Sequence, residues 1–252
     1  MGPFLRDLFY STTHMKLDIL AFAAHPDDVE LSCGGTLISM GDNGYKTGVV
    51  DLTQGEMGTR GNPDQRKKEA AAAAKIMGLS ARENLGFPDN WFDTGRECQM
   101  EVIRVIRKYQ PEIVLGNALY DRHPDHGRAA TLVEEAFFKA GLSKIETTDE
   151  GQVQAAWRPK KLFHYIQSIS LEPDFLVDIS GYHDRKMEAV LAYKSQMYDP
   201  NSDEPETYIS TKSFINMLES RAQEYGHRIQ TSHAEGFIFK HHLGVGDLFH
   251  LK

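Results

Sequence analysis

Strand-like apolar runs and helix-like stretches take turns along the first half of this chain, and that alternation limits the fold more than any other feature of the sequence. Leu17–Ala24, Lys46–Thr53, Glu83–Phe87 and Glu112–Leu119 read as strands. Between them lie helical stretches: about Asp28 to Met40, then Pro63 to Met77 with proline in its first turn and Gly78 at its end, then Glu97–Tyr109. In the last of these, Val102, Ile103, Val105 and Ile106 make one apolar face. Strand, crossover helix and parallel strand are the repeating unit of α/β proteins. The chain is therefore expected to adopt an α/β, Rossmann-like fold, a mostly parallel sheet with helices on both faces. The second half is less regular. Gly127–Ala140, Asp184–Met197 and Lys212–Tyr225 read as helices, Leu162–Ser168, Phe175–Ile179 and Glu235–Lys240 as strands, and Tyr198–Thr211 as a polar mobile loop. No composition break divides residues 15–252, which read as a single domain; residues 1–14 read as an N-terminal extension ahead of Met15, a plausible start.

Composition removes several functions. Acidic residues outnumber basic ones by 36 to 28, and no basic block is present to neutralise a phosphate backbone, so nucleic acid is not an expected partner. No apolar stretch approaches the roughly 18–20 residues of a membrane span. The two cysteines, Cys33 and Cys98, sit in a chain without secretory features and are expected as free thiols, with the cytoplasm as location.

Two clusters carry the chemistry. His25-Pro26-Asp27-Asp28 follows the first strand directly, and His123-Pro124-Asp125-His126 follows the Glu112 strand after Asp121 and Arg122. Functional groups in open α/β sheets collect beyond the carboxyl ends of strands, so the clusters can converge. Zinc in a hydrolytic site takes three N/O ligands and leaves a position for water, whose pKa falls to about 7. His25 and Asp28, three apart, can face one side of a first helical turn, with His126 or His123 completing the set. Asp27 points elsewhere and is free to act as general base and then general acid. Asp125 can bond the His123 imidazole, fixing its tautomer and favouring its protonated form. The competing reading is that each cluster is a helix cap, since aspartate suits caps and proline suits first turns. Two clusters at two strand ends favour a shared metal site.

The glycine-rich stretch Gly55–Pro63 lacks the fingerprints of nucleotide-binding loops and fits a substrate loop, with Arg60 and Arg66 as candidate anion clamps and Arg122 beside the second cluster as a further substrate-binding candidate. His164, His183, His227, His241, His242 and His250 show no ligand spacing and read as surface or structural; His233 is ambiguous.

Several motifs together resemble a known family. They are Ala24-His25-Pro26-Asp27-Asp28-Val29-Glu30, Gly34-Gly35-Thr36, Asp51-Leu52-Thr53-Gln54-Gly55-Glu56-Met57-Gly58-Thr59, Arg66-Lys67-Lys68-Glu69-Ala70 and Asp121-Arg122-His123-Pro124-Asp125-His126-Gly127. In this order they resemble the LmbE/PIG-L-like zinc deacetylases, with weaker similarity at Lys194-Ser195-Gln196 and Ala234-Glu235-Gly236-Phe237. Within that family the chain is most similar to the bacillithiol-biosynthesis branch, the N-acetyl-α-D-glucosaminyl L-malate deacetylases. The resemblance implies a Rossmann-like fold, one Zn2+ per chain held by His25, Asp28 and His126, and hydrolysis of an N-acetyl group on a glucosamine derivative. It implies Asp27 as general base, His123 and Asp125 as catalytic assistants, and Arg66 near substrate carboxylates. It also implies a C-terminal tyrosine or histidine donating to the oxyanion, for which Tyr198, Tyr208 and His233 are the candidates. The expected partners are a small N-acetylated amino-sugar conjugate and further copies of the chain. The rivals are the same chemistry on a chitobiose, mycothiol-type or antibiotic sugar, a catalytically silent metal- or sugar-binding protein, and, more distantly, a nucleotide-binding Rossmann enzyme.

Overall fold

The computed structural model describes residues 15–250, so the N-terminal extension read at 1–14 lies outside the described residues. Strand β1 (Ile19–Ala23) is buried along its whole length because both of its faces are covered. Ile19, Ala21 and Ala23 pack into one core, Leu20 and Phe22 into another. A strand in that position has no polar face, which is why it reads as an unbroken apolar run. Around it lie β2 (Thr47–Thr53), β3 (Ala81–Phe87), β4 (Ile113–Gly116), β7 (Lys161–Tyr165), β8 (Phe175–Asp178) and β9 (Ala234–Ile238), giving a seven-stranded sheet in the order β3-β2-β1-β4-β7-β9-β8. The first five strands of that order run parallel; β9 is antiparallel to both β7 and β8. A two-residue-per-strand hairpin, β5 (Thr148–Asp149) with β6 (Gln152–Val153), stands apart, its turn made by Glu150 and Gly151 at positive φ.

Helices α1 (Asp28–Asp42), α2 (Pro63–Met77), α5 (His183–Leu191) and α6 (Lys212–Arg228) contribute to the first core, while α3 (Arg96–Tyr109) and α4 (Pro124–Ala140) cover the opposite face. The expected Rossmann-like, mostly parallel sheet is thus present. Several boundaries differ from the sequence expectation, and three of them bear on the site. α4 starts at Pro124, so the second histidine–aspartate cluster forms its first turn rather than preceding it. α5 stops at Leu191, because Ser195 and Gln196 turn away to bond Glu69 and the carbonyl of Arg60. β4 ends at Gly116, and the side chain of the next residue, Asn117, turns to Asp28.

Helix α1 is kinked at Cys33 (φ −136°). The kink releases the amides of Gly35 and Thr36, and the Glu235 carboxylate from β9 accepts both, at 3.0 and 2.7 Å, together with the Thr36 hydroxyl at 2.7 Å. Lys186 neutralises that carboxylate at 2.7 Å. Gly35 is required here, since a Cβ would stand 2.8 Å from the Ile179 side chain. Two sequence motifs, Gly34-Gly35-Thr36 and Ala234-Glu235-Gly236, therefore meet as one structural joint.

Among the described residues no helix is long and apolar enough to cross a membrane. Cys33 and Cys98 are both free thiols, as expected.

Candidate active site

Strand order reverses at β1: the chain steps outward through β2 and β3, then returns to place β4 on the other side. The crevice at the carboxyl ends of β1 and β4 is the topological switch point. His25, Asp27 and Asp28 leave β1 there, and His123 and His126 leave β4. The three imidazoles offer ligand nitrogens within 4.8 Å of one another.

Asp28 is the hub. Its carboxylate stands 3.1 Å from His126 Nε2 and 3.6 Å from His25 Nδ1. It also accepts from the His25 amide, Asn117 Nδ2 and Gln167 Nε2. Each histidine has its remaining nitrogen on a second carboxylate. His25 Nε2 lies 3.1 Å from Asp89 and 3.4 Å from Asp125, and His126 Nδ1 lies 2.6 Å from Asp121. Such outer carboxylates fix which nitrogen carries the proton and leave the other free to ligate. Burial disfavours a charged imidazole, but Asp28 and Asp121 outweigh it and raise His126 to about 9; His25 is likewise raised despite burial, by Asp125, Asp28 and Asp89. A pocket that holds extra positive charge on two buried imidazoles around one carboxylate has the donor chemistry of a divalent metal site.

His123 differs. Its Nδ1 accepts the backbone N–H of Asp125 at 3.3 Å, so the neutral ring carries its proton on Nε2. The Asp125 carboxylate turns away from it, accepting from the Asn90 amide and from Arg128 and facing His25. The expected Asp125–His123 side-chain bond is therefore absent, because the first turn of α4 directs the two side chains apart. Nor is His123 held protonated: burial, His25 and His126 push its pKa below the usual range.

Asp27 occupies a left-handed backbone conformation (φ 112°, ψ −26°) and caps no helix amide with its side chain. A non-glycine residue held there is strained, and such strain collects at functional sites. Burial pushes its carboxyl up to about 7, against the pull of the Arg66 guanidinium 3.2 Å away. Arg66 also donates to the Pro26 carbonyl. Gly55, at φ +69°, lets the loop close over that guanidinium, since a Cβ would meet its central carbon at 3.1 Å. Arg66 is thus buried in the cleft wall and engaged with Asp27 and Pro26 rather than free to clamp an anion.

The cleft holds about 170 Å³. Its floor is His25, Asp27, Asp28, His123 and His126; Leu31, Ile209, Phe214, Met217 and Leu218 make an apolar wall. Exposed Arg122 lines it too, its guanidinium 4.2 Å above the ring of Tyr208, which meets Phe214 edge-on. Five sequence candidates are not among the lining residues: Asp125, which faces His25, Tyr208, which packs on Arg122 and Phe214, and Arg60, Tyr198 and His233. Arg60 is buried and bonded to Glu204 and Ser202, so it anchors the Tyr198–Thr211 segment instead of facing substrate. Tyr198 is exposed and does not line the cleft. His233 stacks on His183 and bonds Glu219, away from the cleft lining. Asp89, Asn117 and Gln167 were missed by sequence reasoning; each is a single polar residue without motif context. Asp121 lay inside a recognised motif without an assigned role.

A doubly wound α/β sheet with a metal-competent His/Asp cluster at its switch point, beside a perturbed carboxyl, defines a metal-dependent α/β enzyme. The family model described as GlcNAc-PI de-N-acetylase, PIG-L, matches residues 20–137. The diacetylchitobiose deacetylase of Thermococcus kodakarensis is 31% identical over 235 residues, covering 88% of this chain and 82% of the relative. The probable N-acetyl-α-D-glucosaminyl L-malate deacetylase 2 of Bacillus cereus is 26% identical over 195 residues, 72% of this chain and 84% of that one. Among solved structures, the conserved protein TT1542 from Thermus thermophilus superposes with a TM-score of 0.81 at 36% identity, over 91% of this chain and 98% of that one. The chain belongs to the PIG-L family and is an enzyme of that deacetylase class.

Proposed function

We propose that this enzyme removes the N-acetyl group from an N-acetylglucosamine conjugate, with the L-malate conjugate as substrate, releasing acetate and a free amine. The observation that carries the reading is Asp27: a strained, buried carboxyl with a pKa near 7 that stands beside the donor set without belonging to it. His25 Nδ1, Asp28 and His126 Nε2 would hold one zinc ion, which when bound lowers the pKa of water and polarises an acyl oxygen.

Asp27 accepts a proton as water attacks the acyl carbon, and returns it to the departing nitrogen as the C–N bond breaks. Arg66 holds Asp27 in place and keeps part of its population ionised. The Nε2–H of His123 is available to donate to the oxygen on which charge develops; Tyr208, packed on the cleft residues Arg122 and Phe214, is the further candidate. The apolar wall limits bulk solvent around this exchange while leaving the attacking water.

Arg122 favours a carboxylate-bearing aglycone. It is exposed, lines the cleft, and rests against an aromatic face that orients it. Arg66, being engaged with Asp27, serves every substrate alike. A relative that bears the malate deacetylase name supports this choice; a relative named for diacetylchitobiose supplies the rival.

The test is amine release by the zinc-loaded enzyme from N-acetylglucosaminyl malate, diacetylchitobiose and free N-acetylglucosamine. The malate conjugate should show the highest kcat/KM, and Arg122→Ala should lose roughly tenfold to a hundredfold on it alone, the worth of a charge-assisted contact. Preference for diacetylchitobiose would overturn the malate assignment. No amine from any of the three would overturn deacetylation of this sugar class.

A further inference from the structure

A second cluster of metal-binding groups lies outside the cleft, unused by the chemistry above. His183 opens α5, Glu219 lies within α6, and His233 immediately precedes β9, so three elements remote in sequence meet at one point. His183 Nε2 stands 2.5 Å from Glu219 Oε2, and His233 Nε2 stands 3.1 Å from Glu219 Oε1. The two imidazole rings stack with centroids 4.0 Å apart and planes within 8° of parallel. One ligand atom from each residue lies within 4.8 Å of the other two. We propose that His183, Glu219 and His233 form a second divalent-metal site, suited to zinc, that clamps α5, α6 and the lead into β9.

Two imidazoles and one carboxylate are a donor set that zinc takes readily. Donors about 2.0–2.2 Å from a tetrahedral ion stand roughly 3.4 Å apart, a spacing close to that of these groups, and binding would require the stacked rings to splay so that both nitrogen lone pairs turn to the ion. Two of the groups are also held from behind, while His183 Nδ1 is buried without a partner. His233 Nδ1 lies 3.0 Å from Ser232 Oγ, and Gln223 donates to Glu219 Oε1 at 2.7 Å, the kind of outer partners that orient ligands. His183 is 4% exposed, so a bound ion would be shielded from solvent on that side. Lys186, one turn along α5, is paired with Glu235, which offsets part of its charge. Glu219 is half-exposed, which leaves the remaining coordination position open to water.

The consequence is structural. Leu218 and Arg221 flank Glu219 on α6 and line the cleft, so an ion on Glu219 braces that wall. The site does not depend on the cleft reading, and the two are separated by counting metal. The full chain, loaded with zinc chloride and desalted, should carry two equivalents. Glu219→Ala and His233→Ala should each reduce that to one, as should His126→Ala in the cleft, and the His126→Ala/Glu219→Ala pair should carry none. Zinc should raise the thermal midpoint of the His126→Ala chain by several degrees and leave that of the pair unchanged. For the unaltered chain, anomalous scattering at the zinc edge in a zinc-loaded crystal should give a peak between the three side chains. A single equivalent in the unaltered chain, two equivalents persisting in Glu219→Ala, or no anomalous peak there would overturn the site.

Discussion

On the proposed reading, Asp27 concentrates the chemistry of the molecule in one carboxyl. Replacing it by asparagine should leave bound zinc in place and lower kcat by roughly 10²–10⁴, the usual worth of a general base; elemental analysis beside single-turnover rates separates the two effects. Because burial raises this group to about 7, kcat/KM should fall as pH drops through that region, where the base becomes protonated. Arg66 pulls the same pKa downward, so Arg66→Ala should move the acid limb to higher pH, with equal loss on malate and neutral substrates. A pH–rate profile that stays put in Arg66→Ala would show that the contact is only structural. One shell further out, Asp121→Asn should weaken zinc binding by about 10–100-fold, read by competition with a chelator. These residues were unequally legible. His25, Asp27, Asp28, His123 and His126 announce themselves because two short motifs pack the chemistry into adjacent positions. Asp89 and Gln167 reach the same point from loops whose paths only tertiary packing decides, and Asp125 was assigned the wrong imidazole because helix-turn direction is invisible in a motif.

Elements owe their shape to a few joints. In α1 the break at Cys33 is tolerated because Glu235 satisfies the amides that it frees. Glu235→Ala removes those acceptors and strands the buried Lys186 ammonium, so it should cost about 3–5 kcal/mol, as for breaking a buried ion pair. Urea unfolding of the two chains checks this, and a cost below 1 kcal/mol would mean that water replaces the carboxylate. Helices α2 and α3 could be outlined from the sequence, since Pro63 and Gly78 bound one and the apolar face of Val102, Ile103, Val105 and Ile106 marks the other. The early end of α5 could not, because Ser195 and Gln196 leave the helix for partners on α2 and the glycine-rich loop. The antiparallel insertion of β9 between β7 and β8 is likewise a matter of partners far away in sequence, and the hairpin of β5 and β6 is too short for alternation to register.

Across the whole molecule, protons and metal compete for the same charge. In the metal-free chain the folded pKa of His126 is about 9, above that of an unfolded histidine. Its contribution is fully present below about 6.5 and is lost as pH rises through 9, so the urea midpoint of chelator-treated protein should decline between pH 7 and 9. Zinc supplies the positive charge instead and should remove most of that decline; equal slopes with and without zinc would show that the cleft holds no ion. The parallel half of the fold was legible from its rhythm alone, whereas the charge balance was not, because it arises from burial. The joint at Glu235 has a further consequence for biosynthesis. The carboxylate lies 200 residues beyond the amide of Gly35 that it accepts. A nascent chain ending near residue 230 already contains His25, Asp28 and His126, yet lacks the group that completes the helix beginning at Asp28. Closing so long a loop is a late and slow event. Completion of that helix therefore waits until residue 235 has been made, so a nascent chain that stops short of it carries His25, Asp28 and His126 with the joint in α1 still open.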